Sequence, residues 1–279
     1  MSGTAARVLK NWGYIPVALY TVFALGPLVW AALLSLRTSG EIYSNPYGLP
    51  WPPHFEKYLE VFTKFNYAVY FRNSIIVSVT AVILGTLAGA MAAFVLSRPR
   101  YNFRFRGAIF LLIFISIMFP PQITLIALFQ NLVQLKLYNT LQGLILVYAA
   151  DQLPLTIFLL RAFFMQIPQD IEDAARVDGC GDLRMFWQVM LPIATPAITA
   201  VVIITFIGHW NEFLYAVVFI NREDMRTLPL AVMFFLGENF QDIGMLATGL
   251  VVTVLPVLLI YVFFSEALIK GMTQGAVKG

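Results

Sequence analysis

Residues 166–196 read QIPQDIEDAARVDGCGDLRMFWQVMLPIATP, the longest acidic and polar interruption between two strongly apolar blocks of the chain. Pro168 fits the first turn of a helix, where its missing N–H costs nothing, and the acids that follow suit the positive end of a helix dipole. Gly179 and Gly181 predict the end of this helix, because glycine supplies the backbone angles of a turn. We therefore expect a short helix that begins near Pro168 and ends at a glycine turn.

A second helix is predicted after the turn. Asp182 is well placed to cap its N-terminus, and Pro192 is expected to end it. Apolar residues recur at i, i+3, i+4 and i+7 in this helix: Leu183, Phe186, Trp187 and Met190. We expect a helix–turn–helix unit at a membrane surface, with its apolar stripe against the bundle and its charged first helix facing outward. A loop that only joins two spans is the alternative.

The composition is that of an integral membrane protein. The 279 residues are 59% hydrophobic and 12% charged, about half the charged fraction of a soluble domain. The single cysteine, Cys180, excludes an internal disulfide, and two histidines without clustered cysteines make a structural zinc site improbable. No basic stripe with interleaved aromatic residues indicates a nucleic-acid partner.

Apolar stretches long enough to cross a bilayer, about 20 residues each, occur six times. They cover residues 14–36, 74–96, 107–129, 141–163, 197–220 and 244–269. The predicted fold is an all-α integral membrane protein with six transmembrane helices, and residues 1–279 are expected to form a single transmembrane domain. Segment 166–196 then connects the fourth and fifth spans.

The orientation is predicted from lysine and arginine in the alternating flanks of the spans. The stretch 97–106, SRPRYNFRFR, carries several arginines and no acid in a short loop. This predicts that both termini and segment 166–196 are cytoplasmic. On the opposite face, segments 37–73 and 221–242 are candidates for an external partner surface, although ordinary exposed loops are an equal alternative.

Two features inside the spans predict packing and helix breaks. Small residues lie at four-residue spacing on one face of the second span: Ala81, Gly85, Gly89 and Ala93. Such a stripe allows close helix approach in lipid. Pro120 and Pro121 interrupt the third span, and Pro154 interrupts the fourth. Broken helices often line a cavity in a membrane bundle, and a structural kink is the alternative at each proline.

Polar side chains inside the fourth and fifth spans are candidates for a translocation path. Asp151 and Gln152 lie near the middle of the fourth span, and Asn211 and Glu212 lie in the fifth. Ionisable groups inside spans are costly and tend to face a cavity, although hydrogen bonds between helices are the alternative.

The chain carries no recognisable catalytic motif. It has no G-x-x-x-x-G-K-[ST], H-E-x-x-H or G-x-S-x-G sequence. It is therefore not expected to hydrolyse ATP, or to be an enzyme.

Segment 166–196, called the coupling segment below, resembles the EAA signature of importer-type ABC permeases. That signature runs Glu-Ala-Ala, three residues, Gly, nine residues, Ile, one residue, Leu-Pro. Its positions are occupied here by Asp173, Ala174, Ala175, Gly179, Val189, Leu191 and Pro192. Asp and Val replace Glu and Ile, and Glu172 offers a neighbouring acid. Segments 118–120, 139–144, 178–180, 210–213 and 271–279 extend the resemblance, which is to carbohydrate-uptake permeases related to the smaller membrane subunit of the maltose importer.

The resemblance implies one subunit of a heteromeric, binding-protein-dependent sugar importer in a bacterial or archaeal inner membrane. Its partners would be a second permease subunit, two copies of a cytoplasmic ATPase that holds ATP and Mg, and an extracytoplasmic solute-binding protein. This chain would hold no cofactor, no metal and no catalytic residue. The expected ATPase-coupling residues are Glu172, Asp173, Ala174, Ala175, Asp178, Gly179, Leu191 and Pro192. Asp151 is not part of the family pattern.

Other functions remain open at this point. A permease of the same family could carry a glycerophosphodiester or sugar phosphate, although no span core holds the arginine or lysine that phosphate calls for. An ion-coupled secondary transporter could use Asp151 or Glu212 as proton carrier, but the internal repeats typical of that class are not evident. An intramembrane enzyme using the same two acids is a further alternative.

Overall fold

The computed structural model describes residues 14–238 and 242–273, and these residues contain helices and connecting segments without a β-strand. The helices of the first half are α1 (Tyr14–Ser35), α2 (Ser39–Ser44), α3 (Glu56–Lys64), α4 (Tyr67–Ser97), α5 (Arg106–Ser116), α6 (Pro121–Gln134) and α7 (Leu141–Asp151). They are followed by α8 (Leu153–Phe164), α9 (Gln169–Val177), α10 (Asp182–Met185), α11 (Leu191–Ile193), α12 (Thr195–Trp210), α13 (Leu214–Phe219), α14 (Leu228–Glu238) and α15 (Ile243–Thr273).

Three helices of the described chain are individually long and apolar enough to cross a bilayer. They are α1, α4 and the part of α15 from Ile243 to Glu266. Three further candidates are bent pairs: α5 with α6 at 103°, α7 with α8 at 40°, and residues 182–193 with α12 at 78°. Counting each pair as one span gives up to six spans.

The prolines lie where the third and fourth predicted spans break. Pro120 precedes α6 and Pro121 is its first residue, where a missing N–H leaves no helical hydrogen bond unmade. Pro154 lies in the first turn of α8, directly after the junction with α7. The interruptions expected from the sequence are therefore real changes of helix direction.

The fifth span was predicted as one helix over 197–220, and the structure differs. Helix α12 ends at Trp210 and α13 begins only at Leu214. The Glu212 carboxylate accepts hydrogen bonds from the backbone N–H groups of Tyr215 (2.7 Å) and Ala216 (3.2 Å). These bonds satisfy donors that a new helix leaves unpaired, so α13 starts afresh. Hydropathy cannot reveal such a break, since both sides of it are apolar.

The chain divides into two compact units. The first comprises the described parts of residues 1–68 and 231–255. The second comprises residues 69–230 and the described part of 256–279.

In the first unit, Lys57 closes the C-terminal end of α1. Its Nζ donates to the carbonyl oxygens of Ser35 (3.0 Å) and Arg37 (2.6 Å), and the Thr248 hydroxyl also donates to Ser35 (3.0 Å). A cation suits carbonyl groups that have no helical partner. Burial lowers the pKa of Lys57 to about 8.

In the second unit, α4 runs through two apolar clusters. Val77 and Ala81 belong to the first cluster, with buried residues of α7 and α13. Phe94 belongs to the second, which also holds Phe164 of α8 and Phe186 of the coupling segment. The long second span thus joins one core region to another that directly supports segment 166–196.

The small-residue stripe of the second span packs closely, as expected. Ala81 and Ala93 are fully buried. A Cβ at Gly85 would overlap the Gln152 side chain, and a Cβ at Gly89 would overlap Thr156. The glycines therefore permit the close approach of α4 to the junction of α7 and α8.

Replacing Gly85 with alanine should destabilise the second unit. The new methyl group would displace Gln152, whose amide donates to the carbonyls of Ala81 (3.0 Å) and Val82 (3.2 Å). We expect the free energy of unfolding to fall by about 1–3 kcal/mol, measured as a lower thermal midpoint in detergent. Gly208→Ala is the matched control, because its Cβ would meet nothing within 4 Å. Equal midpoints for the two variants would contradict the packing account.

Candidate functional site

Helix α9 ends in a Schellman motif built on Gly179. The N–H of Gly179 donates to the carbonyl of Arg176 (2.9 Å), and the N–H of Cys180 donates to that of Ala175 (3.0 Å). Gly179 has φ +79°, a left-handed conformation that side chains other than glycine rarely adopt. The glycine turn expected from the sequence is present. Gly181 has an ordinary extended backbone instead and precedes α10.

The predicted coupling residues of α9 and its turn fall on two sides. Asp173, Ala174 and Asp178 are exposed, and Ala175 is half-buried. Glu172 is 6% exposed and faces the interior of the protein. The exposed side therefore carries small and acidic side chains, and Glu172 is not part of it.

Glu172 pairs with Arg98, the residue that follows α4. Arg98 Nε lies 2.5 Å from Glu172 Oε1, and both side chains are almost wholly buried. Arg98 also donates to the carbonyl of Ile167 (2.9 Å), just before α9. Burial lowers the pKa of Arg98, and the negative charge of Glu172 opposes this shift. This pair fixes α9 to the end of the second span.

Two further arginines cap the C-terminal end of α4. Arg106 donates to the carbonyls of Leu96 (2.6 Å) and Arg98 (2.9 Å), and Arg161 donates to Leu96 (3.1 Å). Cations there suit the negative end of a helix dipole. The sequence indicated Arg106 as a marker of orientation only, so its structural use was missed.

The two arms of the glycine turn are joined at the surface. Arg176 of α9 donates to Asp182 of α10 at 2.8 Å, and this bond lowers the pKa of Asp182. Asp182 was expected to cap the second helix with its side chain. It is instead the first residue of α10, and the capping residue is Gly181, which has no side chain to donate or accept. The Asp182 carboxylate is bound by Arg176 and does not cap the helix.

The predicted apolar stripe of the second helix is split. Phe186 and Met190 are buried, whereas Leu183 is 67% and Trp187 44% exposed. Residues 186–190 form a π turn. The i→i+5 hydrogen bonds of that turn wind more widely than an α-helix, so spacings of three and four no longer keep one face.

Pro192 was expected to end the second helix and does not. Residues 191–193 form α11, with Pro192 in its first turn and exposed, and Leu191 half-buried. The chain bends after this point, before α12 begins at Thr195. The Leu-Pro pair therefore lies at the bend between residues 182–193 and α12.

The two candidate path residues of the fourth span have different surroundings. Gln152 is 5% exposed, and its Oε1 lies 2.9 Å from Nε2 of His209. Its amide is used between helices, as the packing alternative expects. Asp151 is exposed and accepts a hydrogen bond from the Tyr215 hydroxyl at 2.8 Å.

The two candidate path residues of the fifth span lie at its break. Asn211 is exposed and donates to the carbonyl of Ile207 (2.9 Å). Glu212 is half-buried and accepts a hydrogen bond from Tyr148 at 2.5 Å, besides capping α13. Its contacts are those of a residue that holds two helices together.

A cavity of about 480 Å³ adjoins Asp151. It is lined by Ser116, Ile117, Phe119, Pro121, Thr124, Leu128, Val147, Ala150, Asp151, Pro154, Leu155 and Tyr215. The breaks at Pro121 and Pro154 both contribute to its wall. Gln152, Asn211 and Glu212 are not among its lining residues, and Tyr215 is a lining residue that the sequence did not single out.

The described residues hold no group of three or more His, Cys, Asp or Glu that could bind a metal ion. The exposed side of α9 and its turn is small and acidic, and the cavity offers one carboxylate among mostly apolar walls. The first arrangement suits mechanical contact with a basic protein surface, and the second suits binding of a polar molecule.

A family model described as "binding-protein-dependent transport system inner membrane component" matches residues 81–274. Among curated proteins, the diacetylchitobiose uptake system permease protein of Streptomyces coelicolor is 40% identical over 259 residues, covering 92% of this chain and 85% of that protein. The arabinooligosaccharides transport system permease protein of Halalkalibacterium halodurans is 33% identical over 275 residues, covering 97% and 96%.

The fold also matches a solved structure. A chain of a bacterial ABC transporter involved in the import of the acidic polysaccharide alginate superposes with a TM-score of 0.81 at 22% identity. The match covers 95% of this chain and 98% of that chain.

Proposed function

Because the chain belongs to the family of binding-protein-dependent transport system inner-membrane components, we propose that it is the permease subunit of an ATP-driven importer for a sugar or oligosaccharide. Its relatives include a diacetylchitobiose permease and an arabinooligosaccharide permease, which supports a saccharide cargo.

The observation that carries this proposal is the rigid exposed side of α9. Asp173 and Ala174 lie on it, the Gly179 turn closes it, and the Arg98–Glu172 pair holds it to the second span. Small side chains allow a partner to approach closely, and the acid offers a charge to a basic partner. A surface that is both exposed and firmly tied to a span can transmit force to it.

The proposed topology has six spans with both termini cytoplasmic: α1, α4, the bent pairs α5–α6 and α7–α8, α12 with α13, and α15. The arginine-rich stretch 97–106 and segment 166–196 then share the cytoplasmic side, in accord with the positive-inside rule. The partners are a second permease subunit, two ATPase subunits that bind ATP and Mg, and an external solute-binding protein. Segments 37–73 and 221–242 would face that protein.

In the proposed mechanism, closure of the ATPase pair moves α9, and α9 moves α4 through the buried ion pair. The bundle alternates between inward and outward access, an equilibrium that nucleotide and the loaded binding protein both bias. The present chain contributes the docking surface, the rigid link and part of the path, and the partner chain carries out hydrolysis.

A phosphorylated cargo is the second candidate, and the cavity lining argues against it. The lining contains the acid Asp151 and neither arginine nor lysine. A carboxylate in a site of low dielectric repels a phosphate group.

Uptake by the complete reconstituted complex tests the proposal. We expect uptake of a neutral saccharide that requires ATP and the binding protein, and that survives a protonophore. Uptake without ATP that collapses with a protonophore would instead show an ion-coupled carrier. Uptake of a sugar phosphate in preference to any neutral saccharide would overturn the proposed cargo.

A further inference from the structure

The cavity beside Asp151 is formed where two broken spans meet α13. Residues 116–121 supply the break between α5 and α6, residues 147–155 supply the junction of α7 and α8, and Tyr215 comes from α13. Its volume of about 480 Å³ lies within the range of small-molecule sites, about 300–1,000 Å³.

Tyr215 holds the Asp151 carboxylate in place. Its ring is 4% exposed and stacks on Phe219 at a centroid distance of 5.9 Å, with a second ring contact to Tyr148 at 6.3 Å. From this packed position its hydroxyl donates to Asp151 Oδ1 at 2.8 Å. Because the Tyr215 ring packs against Phe219 and Tyr148, its hydroxyl stays in one position, and the hydrogen bond orients the Asp151 carboxylate.

The carboxylate keeps acceptor capacity for a molecule in the cavity. Asp151 is exposed and lines the cavity, and an ionised carboxylate has about four acceptor positions. Tyr215 occupies one of them. A carboxylate with two oxygens can accept from two adjacent hydroxyl groups, which is an arrangement that saccharides present and that simple amines or hydrocarbons do not.

The remaining wall suits the rest of a sugar ring. Ser116 donates its hydroxyl proton to the backbone carbonyl of Ile113 (2.6 Å), which leaves its oxygen able to accept a hydrogen bond. Thr124 donates to the carbonyl of Pro121 (2.9 Å), and its hydroxyl also hydrogen-bonds that of Tyr215. Phe119 is 56% exposed at the break between α5 and α6 and offers an apolar face for C–H groups. Most of the other lining residues are apolar.

We propose that this cavity is a saccharide subsite in which Asp151 accepts hydrogen bonds from neighbouring sugar hydroxyls and Tyr215 orients the carboxylate. The site favours neutral over acidic saccharides, since a fixed negative charge repels a uronate. It rests on the proposed function and adds to it that this subunit contacts the cargo and selects it by charge.

The test measures uptake by the reconstituted complex with three probes: maltose, diacetylchitobiose and a hexuronate disaccharide. In Asp151→Asn we expect KM for the neutral saccharide that the wild type transports to rise about tenfold or more, since a charged hydrogen bond is lost. The Asp151→Asn complex should still assemble, as judged by co-purification of the ATPase subunit. Uptake of the hexuronate disaccharide should improve relative to the neutral probe.

Two further variants separate binding from packing. Asp151→Glu keeps the charge and should retain most of the discrimination against the acidic probe. Tyr215→Phe keeps the packed ring and should raise KM in the same direction by a smaller factor. An unchanged KM and unchanged selectivity in Asp151→Asn would overturn the subsite. So would impaired assembly with normal KM in the assembled fraction, because Asp151 would then pack against another subunit.

Failure of this inference and failure of the proposed function look different. If the wild-type complex transports a neutral saccharide and the Asp151 variants show the same KM and selectivity as the wild type, only the subsite proposal is wrong. If the wild-type complex takes up no neutral saccharide with ATP, the proposed cargo is wrong and the subsite falls with it.

Discussion

Replacing Glu172 with alanine should abolish uptake and lower the free energy of unfolding by about 3–5 kcal/mol. The reason is the buried partner that the substitution leaves behind, since Arg98 is 2% exposed and would retain a charge without its carboxylate. Helix α9 would also lose the pair that ties it to the end of α4. Thermal unfolding in detergent and ATP-driven uptake in liposomes measure the two effects.

Two controls separate the ion pair from a general effect of substitution on α9. Asp170→Ala removes an exposed acid from the same helix and should leave the thermal midpoint near that of the wild type. The double variant Arg98→Met with Glu172→Met replaces the pair with apolar side chains, and it should recover much of the lost stability, because neither charge remains buried alone. Glu172→Ala with a wild-type midpoint and normal uptake would refute the link.

Replacing Gly179 with aspartate should leave the protein in the membrane and eliminate uptake. A Cβ at this position would meet nothing within 4 Å, so the fold loses only the backbone preference, about 1–2 kcal/mol. The added carboxylate stands on the proposed docking surface beside Asp178, where it repels that neighbour and must lose its hydration when the partner docks, and the φ of +79° is no longer favoured. Saccharide-stimulated ATPase activity of the reconstituted complex is the measurement.

Nearby variants distinguish conformation from charge. Gly179→Asn adds no charge and tolerates the left-handed conformation better than most residues, so it should keep a substantial part of the activity. Gly181→Asp adds the same charge two residues away, where φ is −76° and a Cβ again meets nothing within 4 Å. Stimulated ATPase activity that stays normal in Gly179→Asp would refute the docking role of the turn.

The sequence was most informative where one physical cause dominates. Hydropathy indicated the apolar stretches, the prolines indicated the breaks near Pro121 and Pro154, and Gly179 indicated a left-handed turn. The small-residue stripe of α4 indicated close packing, which the contact of Gly85 with Gln152 confirms. Each of these features depends on local backbone geometry or on the size of a side chain.

The sequence was least informative where distant groups compete for one side chain. Asp182 has the right type and position for a cap, but Arg176 binds its carboxylate. Glu212 interrupts the helix within a continuous apolar stretch, because its carboxylate accepts hydrogen bonds from two backbone N–H groups. Arg98 counts as a topogenic charge in the sequence, whereas the fold buries it against Glu172. The tertiary structure decides which of several possible groups a side chain binds, and composition and spacing do not give the tertiary structure.

Site-specific crosslinking from the exposed side of α9 tests the central claim most directly. Cys180 is the only cysteine in the chain, so Cys180→Ser with Ala174→Cys leaves one thiol on α9. In the assembled complex this thiol should crosslink to the ATPase subunit, with a yield that changes when ATP is added. A matched thiol at exposed Asn221, in the loop that follows α13, should give no such product. Crosslinking to the ATPase from Asn221 and not from Ala174, or from neither, would contradict the account.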